Sequence, residues 1–226
     1  ITEIPKDKAL LINNLSFKYA GSGEDYVLRN INLTIPSGKT TAIVGVSGSG
    51  KTTIIKLLLG FYPPSKGLLM LGENNLNTFS MNAWRKKCGV VMQDGFIFSD
   101  TIANNIAPGA EHIDKEKLGQ AVEIANIRDF IESLPLGYNT KIGQEGVGLS
   151  QGQKQRILIS RTVYKDPQFI FLDEATNALD SNNERTIMEN LDDFFIGKTV
   201  IIVAHRLSTV KNADKIVVLD NGLIIE

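Results

Sequence analysis

The chain has 226 residues, and its 24 Lys and Arg against 25 Asp and Glu leave a net charge of −1, which excludes the overall cationic field that nucleic acid selects. A single cysteine, Cys88, excludes an intramolecular disulfide, and with only two histidines beside it a zinc cluster is excluded as well. No stretch approaches the roughly 20 consecutive apolar residues of a membrane helix, while 42% hydrophobic residues are enough for one well-buried domain.

The chain starts without methionine on a charged segment instead of an apolar signal core, and it stops directly after Leu223-Ile224-Ile225. Both ends read as cut from a longer chain. Residues 10–17 form the first apolar, β-branched run. Leu15-Ser16-Phe17-Lys18-Tyr19 and Ile31-Asn32-Leu33-Thr34-Ile35 alternate around turns containing Gly and Asp, the pattern of antiparallel strands. Strands are further predicted at 41–44, 88–92, 169–172, 199–203 and 215–219. Three of them, starting at Thr41, Phe169 and Thr199, are apolar throughout, as in a parallel sheet covered on both faces. Between 114 and 134 the residues Leu118, Val122, Ile124, Ala125 and Ile131 fall near helical spacing, and 151–163 reads as an amphipathic helix, so the middle of the chain is a helical lobe.

Gly45-Val46-Ser47-Gly48-Ser49-Gly50-Lys51-Thr52 fits G-x-x-x-x-G-K-[ST], and it lies after the strand at 41–44 and before a helix predicted at 53–59. Glycines let successive backbone N–H groups turn inward around phosphates, and the helix N-terminus adds its dipole. Lys51 brings a point charge to the β- and γ-phosphates, and Thr52 a hydroxyl ligand for Mg²⁺. Phe169-Ile170-Phe171-Leu172-Asp173-Glu174 is a buried strand ending in two carboxylates, at the end where open α/β sheets bind ligands. Asp173 would hold Mg²⁺ directly or through water. Glu174 would orient and deprotonate the attacking water, a role worth roughly 10²- to 10⁴-fold in rate.

Leu149-Ser150-Gln151-Gly152-Gln153 resembles the L-S-G-G-Q element of ABC ATPases, and with the motifs above the resemblance covers nearly the whole chain. It implies an α/β fold: a P-loop NTPase core with a mainly parallel sheet, an N-terminal antiparallel β subdomain and an inserted α-helical subdomain. The chain would be one cassette over 1–226, with the ATP-binding core at 1–93 and 164–226 and the helical subdomain at 94–163. The implied cofactors are ATP and Mg²⁺, and the implied partner is a second cassette, head to tail. Ser150, Gly152 and Gln153 of one chain would then face the phosphates bound by Gly45 to Thr53 of the other. Ser150 can also cap the helix that follows it.

The resemblance gives roles to further positions. Tyr19 is similar to the aromatic residue on which adenine stacks, and Thr53 closes the phosphate loop. Gln93 matches the glutamine that reaches Mg²⁺ and the attacking water. Asp180, in Asn177-Ala178-Leu179-Asp180, matches a loop that touches the opposing site, and His205 matches the histidine on the γ-phosphate. The implied catalytic set is Glu174, His205, Gln93 and Lys51; the implied metal ligands are Thr52, Gln93 and Asp173. Trp84, Cys88 and His112 match no site and are assigned to packing or surface. Gln151 stands where the family has glycine; if the position needs positive φ, a side chain there costs roughly 1 kcal/mol.

The string Phe96-Ile97-Phe98-Ser99-Asp100-Thr101-Ile102-Ala103-Asn104-Asn105-Ile106 resembles the exporter form of the segment that receives the membrane domain, and Gly137-Tyr138-Asn139-Thr140-Lys141-Ile142-Gly143 is exporter-like too. Gln144 replaces the usual Glu, with an acid one place later at Glu145. Exporters of this kind fuse transmembrane domains in front of the cassette, which would sit on the cytoplasmic face of the cell membrane. The texture of the sequence, Asn177 included, is similar to peptide and bacteriocin exporters with an N-terminal cysteine-peptidase domain. The expected function is therefore ATP hydrolysis powering peptide export. The alternatives are lipid or drug-like cargo, an importer ATPase, a soluble non-transport ABC ATPase, and a regulatory module without turnover, against which an intact Glu174 and His205 argue.

Overall fold

The computed structural model describes residues 1–21, 23, 25–204 and 210–226. The elements in chain order begin with β1 (Leu10–Phe17), β2 (Leu28–Ile35), β3 (Thr40–Val44), α1 (Lys51–Leu58), β4 (Lys66–Leu71), β5 (Asn74–Asn75) and α2 (Met81–Lys87). There follow β6 (Cys88–Val91), β7 (Asp100–Thr101), α3 (Ile102–Ile106), α4 (Lys115–Ile124), α5 (Arg128–Ser133), β8 (Lys141–Ile142) and α6 (Gln151–Lys165). The last are β9 (Phe169–Asp173), α7 (Ser181–Phe195), β10 (Thr199–Val203), β11 (Lys215–Asp220) and β12 (Leu223–Ile224). They make two compact units, one of residues 1–88, 168–173 and 195–226, the other of residues 89–167 and 174–194. The helical section expected at 94–163 lies within the second unit, which also takes in α7.

In the first unit the alternating residues of β1 and β2 bury one face, and the two strands pair antiparallel with Leu10 opposite Ile35. β4 pairs antiparallel with the other edge of β1, giving the order β2-β1-β4-β5. The main sheet has the order β12-β11-β3-β10-β9-β6. Within it β11, β3, β10 and β9 run parallel, and β12 turns back antiparallel. Every residue of β9 and β10 is buried, as continuously apolar strands covered on both faces require. Trp84 of α2 is wholly buried against Phe169, and its indole N–H donates to Leu58 O at 2.9 Å, so a polar atom deep in the core is satisfied. The expected α/β class, with an antiparallel β part beside a mainly parallel sheet, is the class found.

In the second unit α3 and α4 lie against α6. Arg161 of α6 donates to the carbonyls of Asn105 at 2.7 Å and Phe96 at 2.9 Å. Asn105 is itself buried, its amide spanning Phe98, Asp100 and Thr101, so the stretch from Phe96 to Ser99 that leads into β7 and α3 is fixed by polar contacts instead of regular structure. No helix among the described residues is long and apolar enough to cross a membrane.

Besides α2 and the two-residue strands β5, β7 and β8, which were not expected, four features depart from the sequence-based expectation. The helical stretch at 114–134 is two helices, α4 and α5, because Asn126 between them adopts φ 50, a left-handed conformation that Asn tolerates and a continuing helix does not. β4 was not predicted; only two of its six residues are buried, so it lacks both a clear alternation and a continuous apolar run. α7 was not predicted either, although Ile187, Leu191 and Phe195 make a buried stripe at i, i+4, i+8. Finally, Gln151 is the first residue of α6 and is not among the residues with positive φ, so the backbone cost considered for its side chain does not arise.

Candidate functional site

The loop from Gly45 to Gly50 leaves the end of β3 and feeds straight into α1. Its course is set by close approach to β11: a Cβ on Gly45 would lie 2.0 Å from Leu219 O, inside any possible contact. Gly48 is the opposite case, with φ +78 and nothing within 4 Å of a would-be Cβ, so only its backbone conformation calls for glycine. Gly50 precedes the helix without a side-chain cap, which leaves the first-turn N–H groups of α1 directed at whatever the loop encloses. One distant backbone group braces the loop and is itself tied to β2. Gly222 N–H donates to Ser49 O at 3.2 Å, and Gly222 O accepts from Arg29 N–H at 2.8 Å.

Lys51 is only 5% exposed, and its ammonium donates to the carbonyls of Gly45 at 2.9 Å and Val46 at 2.8 Å. Thr52 Oγ1 donates to Asp173 Oδ1 at 3.0 Å across 121 residues of sequence, and Asp173 is 1% exposed. The loop and the acidic strand end, separate motifs in the sequence, therefore share one point in space. Both atoms are hard oxygen donors, the set that Mg²⁺ takes, so the residues fit that ion. Tyr19 shares a hydrogen bond with Thr53 Oγ1 at 3.2 Å, which fixes its ring beside the first turn of α1. The ring also packs edge-on against Phe17, with centroids 4.9 Å apart, and against Tyr62, at 5.3 Å.

The second unit carries the other candidate residues. Glu174, half-buried, adopts φ 52, a left-handed backbone that costs a non-glycine residue roughly 1–2 kcal/mol unless its surroundings hold it. They do. Gln155 of α6 donates from Nε2 to Glu174 O at 3.3 Å and accepts at Oε1 from Ala178 N–H at 3.1 Å, clamping both ends of the turn. Asn177 N–H donates to Glu174 O at 3.2 Å, and Asn177 Nδ2 donates to the carboxylate oxygen Oε2. Thr176 Oγ1 donates to the buried Glu184 carboxylate at 3.0 Å, tying the turn to α7. Gly152 lies against the same turn, where a Cβ would be 3.2 Å from Ala178 O.

Ser150 and Gln153 form a reciprocal capping box: Ser150 Oγ accepts from Gln153 N–H at 3.1 Å and Gln153 Oε1 accepts from Ser150 N–H at 2.8 Å. Asp180 does similar work for α7, accepting from Asn182 N–H at 3.1 Å and Asn183 N–H at 3.0 Å. The Asn183 side chain also donates to Asp180, and together these contacts hold its carboxyl below the ordinary range. Arg156 donates to Asn126 O at 2.7 Å; burial pushes its guanidinium down while Asp180 acts in the opposite sense. Gln93 is exposed just beyond β6. His205 lies outside the described residues. Trp84 and Cys88 are buried and His112 is exposed, apart from these groups.

The structure thus joins Gly45 to Thr53, Tyr19 and Asp173 in one unit and Glu174, Ser150, Gly152, Gln153 and Asp180 in the other. Sequence reasoning did not single out Gln155, whose signal was an amide on the buried stripe of an otherwise amphipathic helix. It did not assign Asn177 a contact either, although an amide three residues beyond a carboxylate in a turn is placed to reach back.

A sequence profile of the family described as ABC transporter matches residues 28–177. The chain is 47% identical over 215 residues to the ATP-dependent lipid A-core flippase of Alkalilimnicola ehrlichii, covering 95% of this chain and 36% of that protein. It is 45% identical over 215 residues to the heterocyst differentiation ATP-binding protein HepA of Nostoc sp., covering 95% and 35%. Among solved structures, a bacterial Atm1-family ABC exporter with ATP bound superposes with a TM-score of 0.93 at 36% identity, covering 99% of this chain and 39% of that one. The chain spans about a third of the length of these relatives.

Proposed function

The chain belongs to the ABC transporter family as its ATPase domain, and from this we propose that it hydrolyses ATP to drive an exporter whose membrane-spanning part lies outside these residues. The observation that supports the reading most is the Thr52–Asp173 hydrogen bond, which puts the hydroxyl of the phosphate loop and a buried carboxylate 3.0 Å apart. Thr52 and Asp173 would hold Mg²⁺, with Gln93 as a further ligand, and the ion when bound neutralises charge on the β- and γ-phosphates. Backbone N–H groups from Gly45 to Thr53 and the Lys51 ammonium bind the phosphates, and Tyr19 stacks on the adenine. Glu174 takes a proton from the attacking water, and His205 contacts the γ-phosphate.

A second cassette, head to tail, would complete each site with Ser150, Gly152, Gln153 and Asp180. Transmembrane domains would be the other partner, at the cytoplasmic face of the cell membrane. For the cargo, the expectation of a peptide or bacteriocin and of an N-terminal peptidase domain finds no support in the relatives above. The one whose name states a cargo is a lipid A-core flippase, so lipid or drug-like cargo is the preferred reading.

The test is steady-state ATP hydrolysis against protein concentration, with Glu174→Gln alongside. The expected result is a rate per chain that rises with concentration, and a variant that binds ATP without turning it over. Hydrolysis retained in Glu174→Gln removes Glu174 from the base role, and a concentration-independent rate removes the shared site.

A further inference from the structure

A general base needs a carboxylate oxygen aligned with the proton it takes, and a contact to the carboxylate favours that alignment because a rotating group spends little time in line with the water. Glu174 is a side chain on a turn, with a backbone conformation that is unfavourable by itself. The second unit supplies three ties to that turn. Gln155 spans Glu174 O and Ala178 N–H. Asn177 N–H closes a short loop onto Glu174 O. The third tie reaches the functional group: Asn177 Nδ2 donates to Glu174 Oε2. The donor and the acceptor leave the same turn three residues apart, and Asn177 is half-buried beside the buried Thr176 and Ala175, so its amide is not a freely rotating surface group.

We infer that Asn177 is a positioning residue for Glu174: its carboxamide fixes one carboxylate oxygen so that the other is presented to the attacking water. The inference rests on the reading of Glu174 as base. Chemically it asks for a neutral donor at this point. A carboxylate in the same place would have no hydrogen to donate and would set a second negative charge against Oε2, whereas a longer amide would keep the donor.

The experiment measures kcat and KM for ATP hydrolysis by the full protein, with ATP affinity by equilibrium binding, in Asn177→Asp, Asn177→Gln and Glu174→Gln. Asn177→Asp is near-isosteric and suits the turn, yet it should lower kcat by about tenfold or more, a part of the 10²- to 10⁴-fold that a placed base contributes, with KM and ATP affinity within about twofold of the parent. Asn177→Gln should recover most of the loss. Parental kcat in Asn177→Asp overturns the inference, as does a fall in kcat accompanied by an equal loss of ATP affinity that Asn177→Gln does not reverse, since a merely structural amide would behave that way. If Glu174→Gln is inactive while Asn177→Asp keeps its kcat, only this inference falls. If Glu174→Gln still turns over, the base reading falls and takes this one with it.

Discussion

The phosphate loop and the turn from Glu174 to Asp180 are both short irregular segments after a buried strand, yet they are shaped by different means. The loop is shaped by what is missing: Gly45 passes a backbone carbonyl of β11 so closely that no side chain fits, and Gly222 N–H supports the loop at Ser49 O. The turn is shaped by what is present, the amides of Gln155 and Asn177 and the carboxylates of Asp180 and Glu184. A segment of the first kind fails when an atom is added. One of the second kind fails when a donor is removed, and it can be tuned by degrees.

The largest expected effect is at Gly45. Gly45→Ala must move either the loop or β11, so ATP affinity should fall by at least about 100-fold, roughly 2.7 kcal/mol, beside a loss of stability of about 1–3 kcal/mol or more. Gly48→Ala meets open space and carries only the left-handed backbone penalty of roughly 1–2 kcal/mol, with ATP binding retained. Equal effects at the two glycines, read by titration and thermal melts, would break the distinction between steric and conformational need.

Next is Gln155→Ala, in which Glu174 O and the Ala178 N–H each lose a hydrogen bond; Ala178 is exposed, so the cost is roughly 0.5–1.5 kcal/mol per bond. ATP affinity should hold while kcat drops. Unchanged kcat would mean that the turn keeps its shape without the clamp.

The smallest effect concerns Asp214, which accepts from Thr40 N–H at 2.8 Å and pairs with Lys39 at 3.0 Å, at the start of the strand that leads to the phosphate loop. The Thr40 N–H and then Lys39 hold its carboxyl below the ordinary value of 3.8. A depressed carboxyl stabilises the fold above its unfolded value and loses that contribution as pH falls through the folded one. Asp214→Asn should therefore lower Tm by no more than about 2–4 °C at neutral pH, the gap closing below about pH 4; a gap that persists in acid would assign the effect to packing.

The contrast also explains what could be read from the sequence. The continuous apolar strands β9 and β10, the glycine spacing of the loop and the Ser150 cap are local signals, and each stands where it was expected. β4 escaped because what makes it a strand is its pairing with β1, more than fifty residues away. The break at Asn126 escaped because one left-handed residue leaves apolar spacing nearly intact. At the site, candidate residues could be named from the sequence because their types are demanding. Gln155 could not, since an amide on a helix carries no sign of which backbone groups it will bridge.

The brace that Gly222 gives to Ser49, and the close passage of Gly45 beside Leu219, have a further meaning for how the molecule is made. A ribosome delivers the phosphate loop early, but the strand and turn that fix its course arrive more than 170 residues later. Contacts of such separation form slowly because the intervening chain must be closed first. Nascent chains that end before Leu219 would therefore display the glycine loop without its scaffold, and competence to grip a phosphate would arise late in synthesis, as an abrupt step instead of a gradual gain.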